Sequence, residues 1–297
     1  MTNILSFDFG GTDIKYGVVD TDGKILTKGK KHTPKTLESL IVFIKNQLKQ
    51  YSNEGIEGIA ISSPGSVSDE GIIYGFSAIP YIHGPNIKKH IEAETGLTVH
   101  IENDANCAAL AEVWRGAATG KKEVAVVVVG TGIGGALIKN GAIHKGDHLH
   151  GGEFGYMILD SNNLGSGMNT FSETASTFSI RKRVAQQKQI DISSITGEQV
   201  FLKAEQGDEV CKQAISEFYN MLAIGLYNIQ YIYDPELILI GGGISTREDL
   251  IHQLNKELEW IERKIDAATL IPAIDRCYFN ADANLIGAVY HYLQQTS

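Results

Sequence analysis

Two rhythms of apolar residues run along this chain, one of period two and one of period 3.6. Ile4-Leu5-Ser6-Phe7 predicts a strand that breaks at Asp8-Phe9-Gly10-Gly11-Thr12 and resumes over residues 14–19. A turn at Asp22-Gly23 leads into another short strand, so the opening reads as a β-meander. Thr33-Pro34 then has the look of a helix start, and Leu37, Leu40, Ile41, Ile44 and Leu48 keep helical spacing on one face. A further strand over 58–62 ends in Ser63-Pro64-Gly65.

The second half begins in the same way. Residues 124–129 form a Val-rich strand, Gly130-Thr131-Gly132-Ile133-Gly134-Gly135 a turn, residues 136–138 a return strand, and Asn140-Gly141 a hairpin signal. A long helical pattern through Phe218, Leu222, Leu226, Ile229 and Ile232 feeds a strand at 237–240 and the turn Gly241-Gly242-Gly243. Strand, glycine turn, strand and hairpin thus occur twice, about 120 residues apart, which predicts two similar α/β lobes. No Pro- or Ser-rich linker separates them, so the lobes are expected to pack around a cleft.

Composition narrows the function classes. With 297 residues there is room for two ordinary domains, and the formal charge of −9 disfavours nucleic acid as a partner. Cys107, Cys211 and Cys277 lie far apart, without a CxxC pair, which fits a reducing compartment better than a disulfide framework or a thiolate zinc site. The N-terminus enters a strand with no leader-like segment, and the Val-rich run is far too short to span a bilayer. The expectation is a cytoplasmic protein without membrane contact.

The glycine turns carry the chemistry, and two of them mimic other motifs. Gly130, Gly132 and Gly135 match GxGxxG, but a dinucleotide site needs a helix straight after the turn, and here a hairpin follows. Asp8-Phe9-Gly10 copies the protein-kinase DFG with nothing upstream to serve as the rest of a kinase site, and no GxxxxGK[ST] occurs. Glycine-lined hairpins also expose successive backbone N–H groups to phosphate oxygens. One such turn is ordinary chain reversal; three, two of them in repeated halves, point to phosphate binding.

Taken in order, Asp8–Thr12, Ser63-Pro64-Gly65, Glu102-Asn103-Asp104-Ala105-Asn106, Gly130–Gly135, Gly152-Glu153-Phe154-Gly155, Gly241–Gly243 and Asp282–Ala288 resemble the ROK family of sugar kinases and repressors. That family lies within the actin-like ATPase superfamily. The resemblance implies an α/β fold of two ribonuclease H-like lobes around a central cleft: residues 1–117 with the C-terminal helix 285–297, and residues 118–284. It implies ATP and Mg²⁺ as cofactors, a homodimer, and phosphoryl transfer to the 6-hydroxyl of a glucose unit. Asp104 is the implied catalytic base, although Asn103-Asp104 also stands where a helix N-cap belongs. Asp8 would place Mg²⁺, through water. Gly10, Gly11, Thr12 and Lys15 would hold the nucleotide phosphates with Gly130, Thr131, Gly132 and Gly134, and Gly242-Gly243 would face the adenosine. Pro64, Gly65, Asn103, Asp104, Glu153, Tyr156 and Glu173 would face the sugar; for Glu173 an ordinary solvated glutamate is an equal alternative.

The chain departs from the family where many members bind zinc. The histidine expected after GExG is Tyr156, and residues 164–170 contain no cysteine, so no zinc site is expected. His144, His148 and His150 sit in a glycine-rich loop with no fixed ligand spacing. Loss of the zinc-clamped loop should open the anomeric end of the sugar, as in the β-glucoside kinases of this family, with glucokinase or N-acetylmannosamine kinase as alternatives. Asp13 departs too, and Lys15, two positions on along the same strand face, is the expected compensation. A sugar-responsive regulator is the alternative of another class. Its helix-turn-helix has no room before a strand that starts at residue 4.

Overall fold

The computed structural model describes residues 2–161 and 169–296. In chain order the elements are β1 (Asn3–Phe9), β2 (Asp13–Asp20), β3 (Ile25–His32), α1 (Leu37–Gln50), β4 (Ile56–Ser63), β5 (Ser66–Val67), β6 (Ile73–Tyr74), α2 (Ile87–Thr95), β7 (Thr98–Asn103) and α3 (Asp104–Arg115). They continue as β8 (Val124–Val129), β9 (Ile133–Lys139), β10 (Ala142–Ile143), α4 (Phe171–Ala175), α5 (Thr177–Lys188), α6 (Gly197–Glu205), α7 (Glu209–Tyr233), β11 (Leu237–Gly241), α8 (Leu250–Glu262), β12 (Ile274–Arg276) and α9 (Ala283–Thr296). The chain divides into two compact units. One is Met1–Gly120 with Gly141–Gly151 and Tyr278–Ser297, and the other is Lys121–Asn140 with Gly152–Cys277.

The first unit is built on a sheet of order β3-β2-β1-β4-β7, antiparallel on the β2 side of β1 and parallel on the β4 side. Alternation along β1 assigns its faces. Leu5, Phe7 and Phe9 pack with Leu40, Phe43 and Ile44 of α1, while Ile4 packs with Cys107 of α3 and with Ala288, Val289 and Tyr292 of α9. Both faces are covered, and β1 is buried along its whole length although Ser6 and Asp8 interrupt its apolar residues. Helix α1 begins three residues later than Thr33-Pro34 suggested. Thr36 is the N-cap, in a capping box with Ser39, because the Thr33 hydroxyl is used to donate to the Gly10 carbonyl at 2.6 Å.

Helices α3 and α9 pack so closely that a Cβ at Gly287 would overlap the Cys107 carbonyl. Gly287→Ala must therefore move backbone against backbone. It is expected to lower stability by about 1–3 kcal/mol, measured as a shift of the urea midpoint at constant slope.

The second unit repeats the pairing, with neighbours β9-β8-β11-β12. Strand β8 is antiparallel to β9 and parallel to β11, which is parallel to β12. Asn140 and Gly141 both take positive φ (54° and 79°), the backbone that a tight hairpin requires. The apolar face of α7 buries Phe218, Leu222, Leu226 and Ile229, as its spacing predicts; Ile232, in the last turn, is left outside that face and exposed. Among the described residues no helix is long and apolar enough to cross a membrane.

Candidate active site

In the first unit, the end of β1 presents Asp8 on the face shared with α3 and α9, two positions after Ser6, whose hydroxyl donates to the Leu285 carbonyl. Asp8 Oδ1 accepts from Ser62 Oγ at 3.0 Å and from Asn284 Nδ2 at 2.9 Å. Its Oδ2 faces Nζ of Lys15, the cross-strand partner of Asp8, at 3.5 Å, and Lys15 also donates to the Ala281 carbonyl. Lys15 therefore answers Asp8 rather than Asp13. Asp13 is paired with Lys30 at 2.9 Å, with His32 at 3.6 Å, and chiefly the Lys30 hydrogen bond holds its carboxyl below the usual value. Gly10, Gly11 and Thr12 follow directly, and a Cβ at Gly11 would meet that of Ala78 at 2.6 Å.

At the β7–α3 junction the structure separates two roles that the sequence left open. Asn103 is the N-cap, its side chain accepting from Asn106 N at 3.1 Å, and Asp104 is the first helical residue. Asn103 Nδ2 donates both to the Gly65 carbonyl and to Asp104 Oδ1, each at 3.0 Å, so Pro64-Gly65 is tied to the Asn103-Asp104 pair. Ala105 N donates to the same Asp104 oxygen at 2.8 Å. Burial raises the Asp104 carboxyl above the usual aspartate value, and the negative charge of Asp8 adds to the rise.

Beneath this pair Glu102 is fully buried. Its Oε1 accepts from Asn103 N at 2.7 Å and from Asn106 Nδ2 at 3.0 Å. Its Oε2 is met by the Lys145 ammonium at 2.9 Å. Lys145 also reaches Asp69 at 3.1 Å and the Val67 carbonyl at 3.2 Å. Burial alone would lower the lysine, but Glu102 and Asp69 outweigh it and raise it above its ordinary value.

The second unit gathers the other predicted residues. The Gly130 carbonyl accepts from N and Oγ1 of Thr177, and Ile133 N donates to Ser172 Oγ, which fixes the turn holding Gly130, Thr131, Gly132 and Gly134. A side chain at Gly134 or Gly243 would meet nothing within 4 Å, whereas Gly242 has φ +85° and lies against the β8 backbone. The first pair is open to a ligand and the third is required by packing. Glu153 and Tyr156 are exposed at either end of a short 3₁₀ turn. Glu173 is exposed, and its Oε2 accepts from Thr170 N and Oγ1 in the capping box of α4. The cysteine-free stretch around Leu164–Met168 lies outside the described residues.

A cavity of about 660 Å³ opens beside Gly243 and Ile244, lined also by Arg181, Thr196, Phe201 and Arg247. The Arg247 guanidinium stacks on Phe201 at 4.0 Å. Its volume is in the general range of small-molecule sites. Apart from the glycine, its walls come from α5, α6 and the turn before α8, which carry no motif. Among the described residues no three His, Cys, Asp or Glu side chains converge as metal ligands.

The ROK family model matches residues 4–295. This chain belongs to the ROK family. It is 38% identical over 298 residues to a β-glucoside kinase of Listeria monocytogenes, covering 98% of each chain. Identity to the β-glucoside kinase of Klebsiella pneumoniae is 36%, over 98% of this chain and 96% of that one. A ROK family protein from Streptococcus pneumoniae, solved in complex with sucrose, matches at TM-score 0.92 and 40% identity over 99% of both chains. A ROK family glucokinase from Streptomyces griseus, solved with glucose and AMPPNP, matches at TM-score 0.76 and 26% identity over 96% of this chain and 97% of that one. The two-sheet α/β architecture is that of ROK sugar kinases.

Proposed function

We propose that this ROK protein transfers the γ-phosphoryl group of ATP to the 6-hydroxyl of the glucose unit of a β-glucoside such as cellobiose. The chain is a carbohydrate kinase, with ATP as donor as in the kinases it matches. The observation that carries the mechanism is Asp104, a half-buried carboxylate of raised proton affinity tied to the Pro64-Gly65 turn through Asn103. Asp104 accepts the hydroxyl proton as the sugar oxygen bonds to the γ-phosphorus and the bond to the bridging oxygen of ADP breaks. Gly10, Gly11, Thr12 and Lys15 hold phosphate oxygens, and Thr131, Gly132 and Gly134 are the other phosphate-binding residues of this reading. Glu153 and Tyr156 face the sugar, and the cavity beside Gly243 takes the adenosine.

Magnesium fits this donor set, because it keeps most of its water and needs few carboxylates; Asp8 would hold it through water. Bound there, it neutralises charge on the phosphates. Zinc does not fit at Tyr156, since a phenol replaces the imidazole and residues 164–170 contain no cysteine.

The β-glucoside preference is supported by the 36–38% identity to β-glucoside kinases over nearly the whole chain. A coupled ADP-release assay across cellobiose, gentiobiose, salicin, glucose and N-acetylmannosamine is expected to give the highest kcat/KM with β-glucosides. Far faster turnover of glucose or N-acetylmannosamine would overturn the preference.

A further inference from the structure

The segment Tyr74–Ala78 is an aromatic strap whose two ends are fixed on proposed site turns of the first unit. At one end, the Tyr74 carbonyl lies 2.6 Å from where a Cβ of Gly65 would be, in the turn whose carbonyl takes the Asn103 amide. At the other end, Ala78 lies against Gly11 of the phosphate turn. The middle is braced from behind. Ser77 Oγ and His83 Nε2 are 2.7 Å apart, Ile79 N donates to Ser77 Oγ, and Gly84 N donates to the Ile73 carbonyl.

Between these anchors Gly75 takes φ +95° with nothing near its Cβ direction, a backbone that turns the next side chain outward. That side chain is Phe76, 91% exposed, the most exposed large apolar residue among those described; Tyr74 beside it is 49% exposed. A single exposed aromatic needs no special explanation. Two on a braced strap between a sugar-side turn and a phosphate turn form a built surface.

We infer that Phe76, with Tyr74, is a platform for the aglycone of the substrate, the second pyranose or aryl ring β-linked to the glucose that is phosphorylated. The C–H face of a pyranose and the face of an aryl ring are both apolar, and either can stack on an aromatic side chain while its edge stays in water. Free glucose has no such ring and cannot use the platform. Phe76 is thus a specificity-determining residue that acts on the part of the substrate remote from the transferred phosphate. This inference rests on the β-glucoside reading above.

The test measures kcat/KM for cellobiose, salicin and glucose with the wild-type chain, Phe76→Ala and Phe76→Trp. In Phe76→Ala, the ratio of β-glucoside to glucose kcat/KM is expected to fall roughly 3- to 10-fold, the worth of one aromatic contact. Phe76→Trp should restore it. An unchanged ratio in Phe76→Ala overturns the platform while leaving the β-glucoside reading intact. A wild-type chain that phosphorylates no β-glucoside overturns both, and this shows before any variant is compared. Since Phe76 contributes almost nothing to the core, equal loss toward all three sugars also counts against a specificity role.

Discussion

Asp104→Asn is expected to lower kcat by a factor of roughly 10²–10⁴, the usual worth of a general base, while raising the melting temperature of the protein. Asparagine keeps an oxygen where Asn103 Nδ2 and Ala105 N donate, so the junction of β7 and α3 survives. It removes a charge that burial and Asp8 both oppose. Because the folded carboxyl holds its proton more tightly than the 3.8 of an ordinary aspartate, stability falls as pH rises through the window from 3.8 to the folded value. Above that window the full penalty is present. The substitution should therefore stabilise the protein near neutrality, with the advantage vanishing in acid. The same rise sets the acid limb of activity, since the base must be ionised to work. The kcat/KM profile of the wild type should fall on the acid side at a pH above that of an unperturbed aspartate. Calorimetry of the two proteins between neutral and acid pH checks the first claim, and a pH–rate profile the second. Retained turnover in the variant would remove Asp104 from the mechanism.

That loss of activity with gain of stability marks a residue placed for chemistry, and sequence could reach it only through resemblance. Local patterning found the repeated meander, the hairpin at Asn140-Gly141 and the buried face of α7, because those depend on neighbours along the chain. It placed the α1 cap three residues early, because the alternative use of Thr33 is a bond to Gly10, 23 residues away. It could not tell which of Asn103 and Asp104 is the helix cap; that lies in which side chain accepts from Asn106 N. The partners of Asp8 were harder still. Ser62 is 54 positions off and Asn284 is 276, although the Asp282–Ala288 motif that carries Asn284 was visible. Nor does any motif announce the Arg247–Phe201 wall of the second unit's cavity, which arises only when separate helices pack.

Lys145 belongs to the same class of long-range partners, and its loss is expected to be the most damaging single change to the fold described here. Lys145→Met would leave Glu102 buried with no compensating cation. His291 lies 3.8 Å from the same carboxylate oxygen, but burial, with some help from Lys145 itself, pushes that imidazole below its usual value, so in the wild type Lys145 is the cation that Glu102 faces. An unpaired buried carboxylate costs about 3–5 kcal/mol, a large share of the stability of most domains. In the variant, Glu102 must bind a proton more readily when folded than unfolded, so the defect should shrink as pH falls toward the carboxylate range. Adding Glu102→Gln should recover much of the loss at neutral pH. The amide keeps an acceptor for Asn103 N and Asn106 Nδ2 and needs no cation. Urea titrations of both single variants and the double variant, at neutral and mildly acid pH, measure the coupling directly. If the two changes were simply additive and independent of pH, the Glu102–Lys145 pair would not be what supports the catalytic segment. If they couple as expected, the double variant should also recover part of any kcat lost in Lys145→Met, since residue 102 holds the backbone of Asn103 immediately before Asp104, the proposed base.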